Sequence, residues 1–328
     1  MRAPKILGLS LAALMCCGGA RSNAQDVATF PDRPIKLIVP TSAGAGVDTA
    51  ARITAEAVEK HLGQRFIVEN KPGASFRIAT SFVAKSPPDG YTLLFTSPTP
   101  VAVLQHFVQK LDYDPVNDLR PVAIGIYQPV LLIVRPKLGV TSVDEFIAHA
   151  KANPGKIIFG IQGLGSEMHL SMKNFEKTAG ISLTQLPYAG GSQAIVDLLG
   201  DRLDAMFLVI PPIRDHVETG ALLALATLNA KRVAALPNIP TMAELGRPEM
   251  TNDLWFGYMA PGKTPDAIIG KLAAAFAKLQ ADVALVKRVA ELGAELNIVG
   301  PAEFGRIIES DRTRYGRIVV DGNLAMQN

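Results

Sequence analysis

Residues 35–52, IKLIVPTSAGAGVDTAAR, pass from an apolar run through a glycine-punctuated turn into an amphipathic run. Ile35 to Val39 is nearly continuous in apolar residues, as a strand buried on both faces should be. Ala50, Ile53, Ala57 and Leu62 then fall on one helical face, and Gly63 stops that helix. The same grammar recurs outward from this stretch. Further strand-like runs lie at 66–69, 91–96, 130–134, 157–159, 205–209 and 222–227. Ser142 and Glu145 form a capping box for a helix carrying Phe146, Ile147 and Ala150, which Pro154-Gly155 ends. Met168, Met172, Phe175 and Ala179 make another stripe, starting at Ser166. Such alternation predicts an α/β fold of parallel sheets with helices on both faces.

Length, charge and cysteine placement narrow the class. Arg2 and Lys5, an apolar run from Ile6 to Cys17 and the small or polar residues ending in Ala24 have the three-part layout of a secretory signal peptide. The run has about a dozen residues, short of the ~20 that a membrane-spanning helix needs. Residues 1–24 are therefore expected to be removed, leaving a soluble periplasmic protein. Leu14-Met15 fits poorly as the small-residue approach to a lipid-anchored cysteine. Cys16 and Cys17 are the only cysteines of the 328 residues, so processing leaves no disulfide, thiolate nucleophile or cysteine metal site. Arg2, Lys5 and Arg21 depart with the same segment, which takes the formal charge from +3 to about zero and removes electrostatic support for a nucleic-acid partner. The remainder, about 304 residues, is twice the ~150 of one domain.

Two domains need crossings, and the sequence offers them near 127–129 and 252–255. Lobe 1 is then 25–127 with 252–328, finished by three helices starting near Thr264, Val283 and Pro301, and lobe 2 is 128–251. Two doubly wound lobes joined by a hinge place their ligand site in the cleft between them.

Three strand-turn-helix passages face such a cleft: Pro40 to Asp48, Phe159 to Ser166 and Tyr188 to Ser192. Uncommitted N–H groups and the positive end of the helix dipole favour an anion there, by roughly 0.3–1 kcal/mol per helix end. A single glycine turn would be unremarkable, but three at the carboxyl ends of strands stand where open α/β sheets bind ligands. Gly257 to Thr264, GYMAPGKT, matches the phosphate-loop pattern letter by letter. Pro261 removes an N–H just where such a loop needs donors, and Thr264-Pro265 reads instead as N-cap and first helical position. Ser166 with His169 is the nearest nucleophile and base pair, but Ser166 reads as an N-cap and no G-x-S-x-G elbow surrounds it. The remaining histidines show no metal-ligand spacing. Asp48 and Arg52, at i and i+4, read as a helix-stabilising pair. Arg77 follows a turn and sits beside Phe76, so it offers a bidentate carboxylate clamp next to an apolar ring.

Taken together, PDRPIKLIVP, AGAGVDTAAR, LGQRFIVENKPGA, PDGYTLLF, LDYDPVNDLRPVA, NPGKIIFGIQGLGSEMHL, LPYAGGSQAIVDLLGDRLDAMF, ALPNIPTMAELG, WFGYMAPGKTPDAI and PAEFGRII make the chain similar to the periplasmic substrate-binding proteins of tripartite tricarboxylate transporters, the Bug or TctC family. The resemblance covers nearly the whole chain after the leader. It implies a type II periplasmic-binding-protein fold that closes on a small carboxylate without cofactor, metal or catalysis. It implies a monomer that delivers the ligand to a pair of membrane permease subunits, or to a sensor kinase. It also implies that the carboxylate is held by loop backbone groups and bridging waters. The family's first loop maps onto Gly44, Ala45, Gly46, Val47 and Asp48, its second-lobe loop onto Gly163, Gly165, Ser166 and His169, and its aromatic-glycine turn onto Tyr188 and Gly190. Ile161-Gln162 stands where the family commonly has a small serine, and Gln162 joins the candidate ligand set. Ser97 and Phe207, in or beside strand-like runs, complete the candidate ligand set with Phe76 and Arg77. The family usually has a Gly-Gly pair and a small polar residue where this chain has Ser75-Phe76-Arg77. The expected pocket is therefore narrower, with an added ring and an added cation, and suits a ligand with a second anionic group or an aromatic or larger apolar body.

Overall fold

Two sheets divide the strands of the computed structural model, which describes residues 29–322 apart from Ala189, together with Leu324. The expected leader, 1–24, lies outside the described residues. The chain begins β1 (Ile35–Val39), α1 (Gly46–Leu62), β2 (Phe66–Asn70), α2 (Arg77–Ala84) and β3 (Thr92–Thr96). A single π turn over Thr99–Val103 leads into the short α3 (Leu104–Phe107) and the long β4 (Leu119–Gln128). One residue, Pro129, separates β4 from β5 (Val130–Val134), which belongs to the other sheet. That sheet is completed through α4 (Val143–Ala152), β6 (Ile158–Gln162), α5 (Glu167–Ala179), β7 (Thr184–Tyr188), α6 (Gly191–Leu199), β8 (Ala205–Val209), α7 (Arg214–Glu218) and β9 (Leu223–Thr227). The chain returns to the first sheet with β10 (Leu254–Pro261), α8 (Asp266–Ala277), α9 (Val283–Glu291), β11 (Glu295–Val299) and α10 (Pro301–Asp321).

Strand order is β11-β4-β10-β3-β1-β2 in the first sheet and β7-β6-β8-β5-β9 in the second. The α/β lobes are as expected, but their sheets are mixed rather than parallel. β10 runs antiparallel to both β3 and β4, and β5 antiparallel to both β8 and β9. The cause is the double crossing. A strand that enters a sheet directly from the other lobe, without a helix to carry it back, arrives pointing the opposite way. Both are fully buried central strands, β5 as VLLIV and β10 as LWFGYMAP.

The phosphate-loop lookalike is accordingly strand interior. Gly257 to Pro261 belong to β10, and a Cβ on Gly262 would lie 1.9 Å from the Asn117 carbonyl oxygen. Thr264 is not the N-cap of the next helix. Its hydroxyl donates to the Pro261 carbonyl (2.7 Å), and α8 starts at Asp266 with Pro265 as its cap residue. The Ser142 cap holds, its hydroxyl accepting from the Glu145 N–H at 3.2 Å, and the Glu145 carboxylate also takes the Thr141 N–H at 2.7 Å.

The lobes meet along more than the crossings. Leu170 of α5 packs with Ala102, Val103 and Phe107 from the first lobe and with Tyr315 and Val319 of α10. Asn252, at the second crossing, is buried among both lobes. Its side-chain amide donates to Ser171 (2.7 Å), and its oxygen accepts from Arg314 (2.8 Å) and Tyr315 (3.0 Å). Asn229 ties one crossing to the other, accepting from the Val130 N–H (3.0 Å) and donating to Asp253 (3.1 Å).

Candidate functional site

A cavity of about 680 Å3 lies between the lobes. Its wall gathers three helix starts. Ala45, Gly46 and Val47 open α1, Ser166, Glu167 and Met168 open α5, and Gly190, Gly191 and Ser192 open α6. Neither Ala45 nor Gly190 supplies a side-chain cap, so the first N–H groups of α1 and α6 face the space from opposite lobes without one. At α5 the cap is in place: Ser166 accepts from the His169 N–H (3.2 Å) and donates its own proton to the Gln162 carbonyl (2.6 Å).

The first loop is held from beneath. Asp48 is buried, and its carboxylate accepts from the Gly44 N–H (2.9 Å), from Arg52 Nε (2.9 Å) and from Asn70 Nδ2 (2.8 Å). Burial pushes this carboxyl up, but the bonds from Arg52, Asn70 and Gly44 outweigh it and hold the group below the usual carboxylate range. Asn70 also donates to the Thr41 carbonyl (2.8 Å), which fixes the wall residue Thr41. The expected Asp48–Arg52 pair thus exists, and Asp48 shapes the loop from behind the wall.

Around the second loop, His169 Nδ1 accepts from the Gly165 N–H (3.1 Å), which leaves the proton on Nε2 for Gln185 Oε1 (3.1 Å). Burial lowers its pKa, so the ring is neutral and fully engaged. The Ser166 hydroxyl and the imidazole never meet, and the nucleophile-base pair does not form. Gly165 has φ +73, and a Cβ there would strike Phe107 at 2.6 Å. Tyr188 is nearly buried and donates to Asp197 (2.9 Å), bracing α6.

The third feature is strain. Ala74, Ser75 and Phe76 have φ of 48°, 52° and 73°, three successive left-handed residues without a glycine among them. This turn delivers Ser75 and Phe76 to the cavity wall. Arg77, the next residue, is not on that wall. It starts α2 with its guanidinium 3.9 Å from Asp112. Ser97 is fully buried behind Thr99, accepting from its N–H (3.4 Å), and Phe207 packs in the second-lobe core against Phe159.

Of the residues singled out from sequence, the structure therefore brings Ala45, Gly46, Val47, Phe76, Gln162, Gly163, Ser166 and Gly190 to the wall. Gly44, Asp48, Gly165, His169 and Tyr188 lie behind it as supports. Sequence reasoning missed Thr99, Gln128, Leu208, Val209, Pro212, Leu254 and Phe256, all of which line the cavity. Gln128 and Leu254 sit beside the crossings, a signal that was available. It also missed Glu167, whose place in a helix's first turn reads as ordinary dipole compensation. Glu167 is 8% exposed, and its Oε2 has no hydrogen-bond partner. Burial, with the Asp311 charge adding to it, pushes its carboxyl up to about 7.

Two α/β lobes, joined twice and lined at their cleft with uncapped helix starts, define a binding protein of the periplasmic type. The chain belongs to the TctC family, the receptors of the tripartite tricarboxylate transporter family, whose model matches residues 50–324. Protein BugT of Bordetella pertussis is 37% identical over 292 residues, covering 89% of this chain and 90% of BugT. An R. palustris protein solved with adipate superposes with a TM-score of 0.80 at 33% identity, covering 90% of this chain and 99% of that one. MatC from Rhodopseudomonas palustris with bound malate gives 0.76 at 27%, covering 88% and 100%. As a member of this receptor family the chain is a solute-binding protein, not an enzyme.

Proposed function

We propose that the protein captures a small organic carboxylate in the interlobe cleft and presents it, in the periplasm, to the permease subunits of a tripartite transporter. The observation that carries this reading is the pair of uncapped helix starts of α1 and α6 on one cavity, with no Lys or Arg among its described lining residues. Backbone dipoles then do what a cation would otherwise do. Relatives solved with adipate and malate support the ligand class. Among the described residues no helix is long and apolar enough to cross a membrane.

Phe76, Leu254 and Phe256 on the wall support a ligand with an apolar or aromatic body. A second anionic group rested on Arg77, whose guanidinium is directed to Asp112, so the apolar body is the better supported half of that expectation. A thermal-shift screen of mono-, di- and tricarboxylates and aromatic acids tests the reading. A bound acid at 100 times its dissociation constant should stabilise the protein by about 2.7 kcal/mol. Unchanged melting across all of them would sink it.

A further inference from the structure

Alternation along β6 decides where Gln162 points. Phe159 and Ile161 enter the core on one face of the sheet, whereas Ile158 packs on the other, with Ala194, Ile195 and Leu198 of α6. Gln162 shares the face of Ile158 at the carboxyl end of the strand, beside Tyr188, the last residue of β7. Its side chain therefore leaves the sheet where α6 begins. Gly191 records the path: a Cβ on that residue would lie 2.6 Å from Gln162 Nε2. Gly191 is the first residue of α6 and has no left-handed φ, so its backbone does not require glycine, whereas the amide lying against it does. Both residues are on the cavity wall.

The amide is also uncommitted. Among the described residues the side chain that engages Gln162 is Ser166, and it reaches only the backbone carbonyl (2.6 Å). Neither polar atom of the Gln162 amide is among the sealed side-chain atoms that lack a partner, so the half-buried group is open to solvent beside Gly191, on the wall of the cleft. On a wall with no Lys or Arg among its described residues, a free amide nitrogen next to an uncapped helix start is a donor without an acceptor.

Resting on the reading of the cleft as a carboxylate trap, we propose that Gln162 is a ligand-contacting arm of the trap. Nε2 donates to one oxygen of the ligand carboxylate, the first N–H groups of α6 take the other, and Gly191 is glycine so that the arm can lie there. A neutral donor fixes the direction of the carboxylate without the desolvation that a buried cation would cost.

Calorimetric titration with succinate, adipate, malate, benzoate and 3-phenylpropionate, on a cycle of four proteins, tests this. For each acid that binds, Gln162→Ala should weaken affinity about tenfold. Gly191→Ala should do the same by pushing the amide aside, and should cost less than about twofold once Gln162 is already alanine. Gln162→Glu, of equal length but with a charge in place of the donor, should cost about a hundredfold or more. Melting of the empty proteins should be unchanged throughout, which a merely structural glutamine would not allow. Wild-type affinity in Gln162→Ala for every acid that binds would overturn the proposal. So would a Gly191→Ala loss that is absent, or that is as large in the alanine background, since the methyl would then not act through the amide. If Gly191→Ala does not fold, the two Gln162 variants still decide. Failure of every acid to bind the wild type would instead sink the carboxylate reading, and the arm with it.

Discussion

Single residues in this cleft do their work through what they lack. Asp48 has every oxygen engaged and so sets a loop, whereas Glu167 has an oxygen free and so poses a demand. That difference has a thermodynamic signature without any ligand. A carboxyl whose folded-state pKa is raised, here from 4.5 to about 7, stabilises the fold fully below the unfolded value, and the contribution is lost as pH rises toward the folded one. At about 1.36 kcal/mol per pH unit the loss approaches ~3 kcal/mol. Glu167→Gln should thus gain on the wild type between pH 5 and pH 8, as measured by urea unfolding of the empty protein at both values. An unchanged difference would show that Glu167 is hydrated in solution. The sequence could not announce this residue. An acid at a helix start is favourable on its own element, and the conflict arises only from burial against another lobe. Phe207 was misplaced along the strand: Leu208 and Val209, at the carboxyl end of β8, reach the cavity, while Phe207 lies further back and joins the core against Phe159.

At the scale of elements, the helix starts were legible and several strands were not. Glycine turns before α1 and α5 announce their positions because left-handed backbone is needed at Gly44, Gly163 and Gly165. β4 is interrupted by Pro121 and Gly125, and β7 carries Pro187 on an exposed sheet edge, where a missing N–H costs little, so neither reads as a run of β-formers. β10 hid inside a motif belonging to another chemistry. The anion role of the helix starts has a clean test at Gly46. It is the first residue of α1, a Cβ there meets nothing within 4 Å, and Ala45 before it already has φ −66° and ψ 156°, the conformation that a following proline requires. Gly46→Pro should leave α1 intact, with melting of the empty protein little changed, yet lower carboxylate affinity by about tenfold through loss of one N–H. Undiminished binding would move the anion away from α1.

For the whole molecule, length implied two lobes, since about 304 residues after the leader are twice the ~150 of one domain. The antiparallel entry strands were not foreseeable, since strand direction depends on which lobe the chain has come from and not on side-chain pattern. The polar cluster at Asn252 holds the lobes in register. Asn252→Ala would strand the Arg314, Tyr315 and Ser171 groups it now satisfies, and should cost about 2–3 kcal/mol of stability in chemical denaturation. A cost near zero would mean that water replaces it freely.

The two crossings, clipped together through Asn229 and Asp253, lie side by side and one of them is a single proline long. Two short links side by side make rotation about their common line the expected motion of one lobe on the other, as in the jaws of a caliper. Each ångström of ligand length is then read out as an angle, and the displacement that the angle produces is largest at the two outer rims. Acids of graded chain length would therefore leave the rims at graded separations, so a transporter that docks on the rims could measure its cargo without touching it.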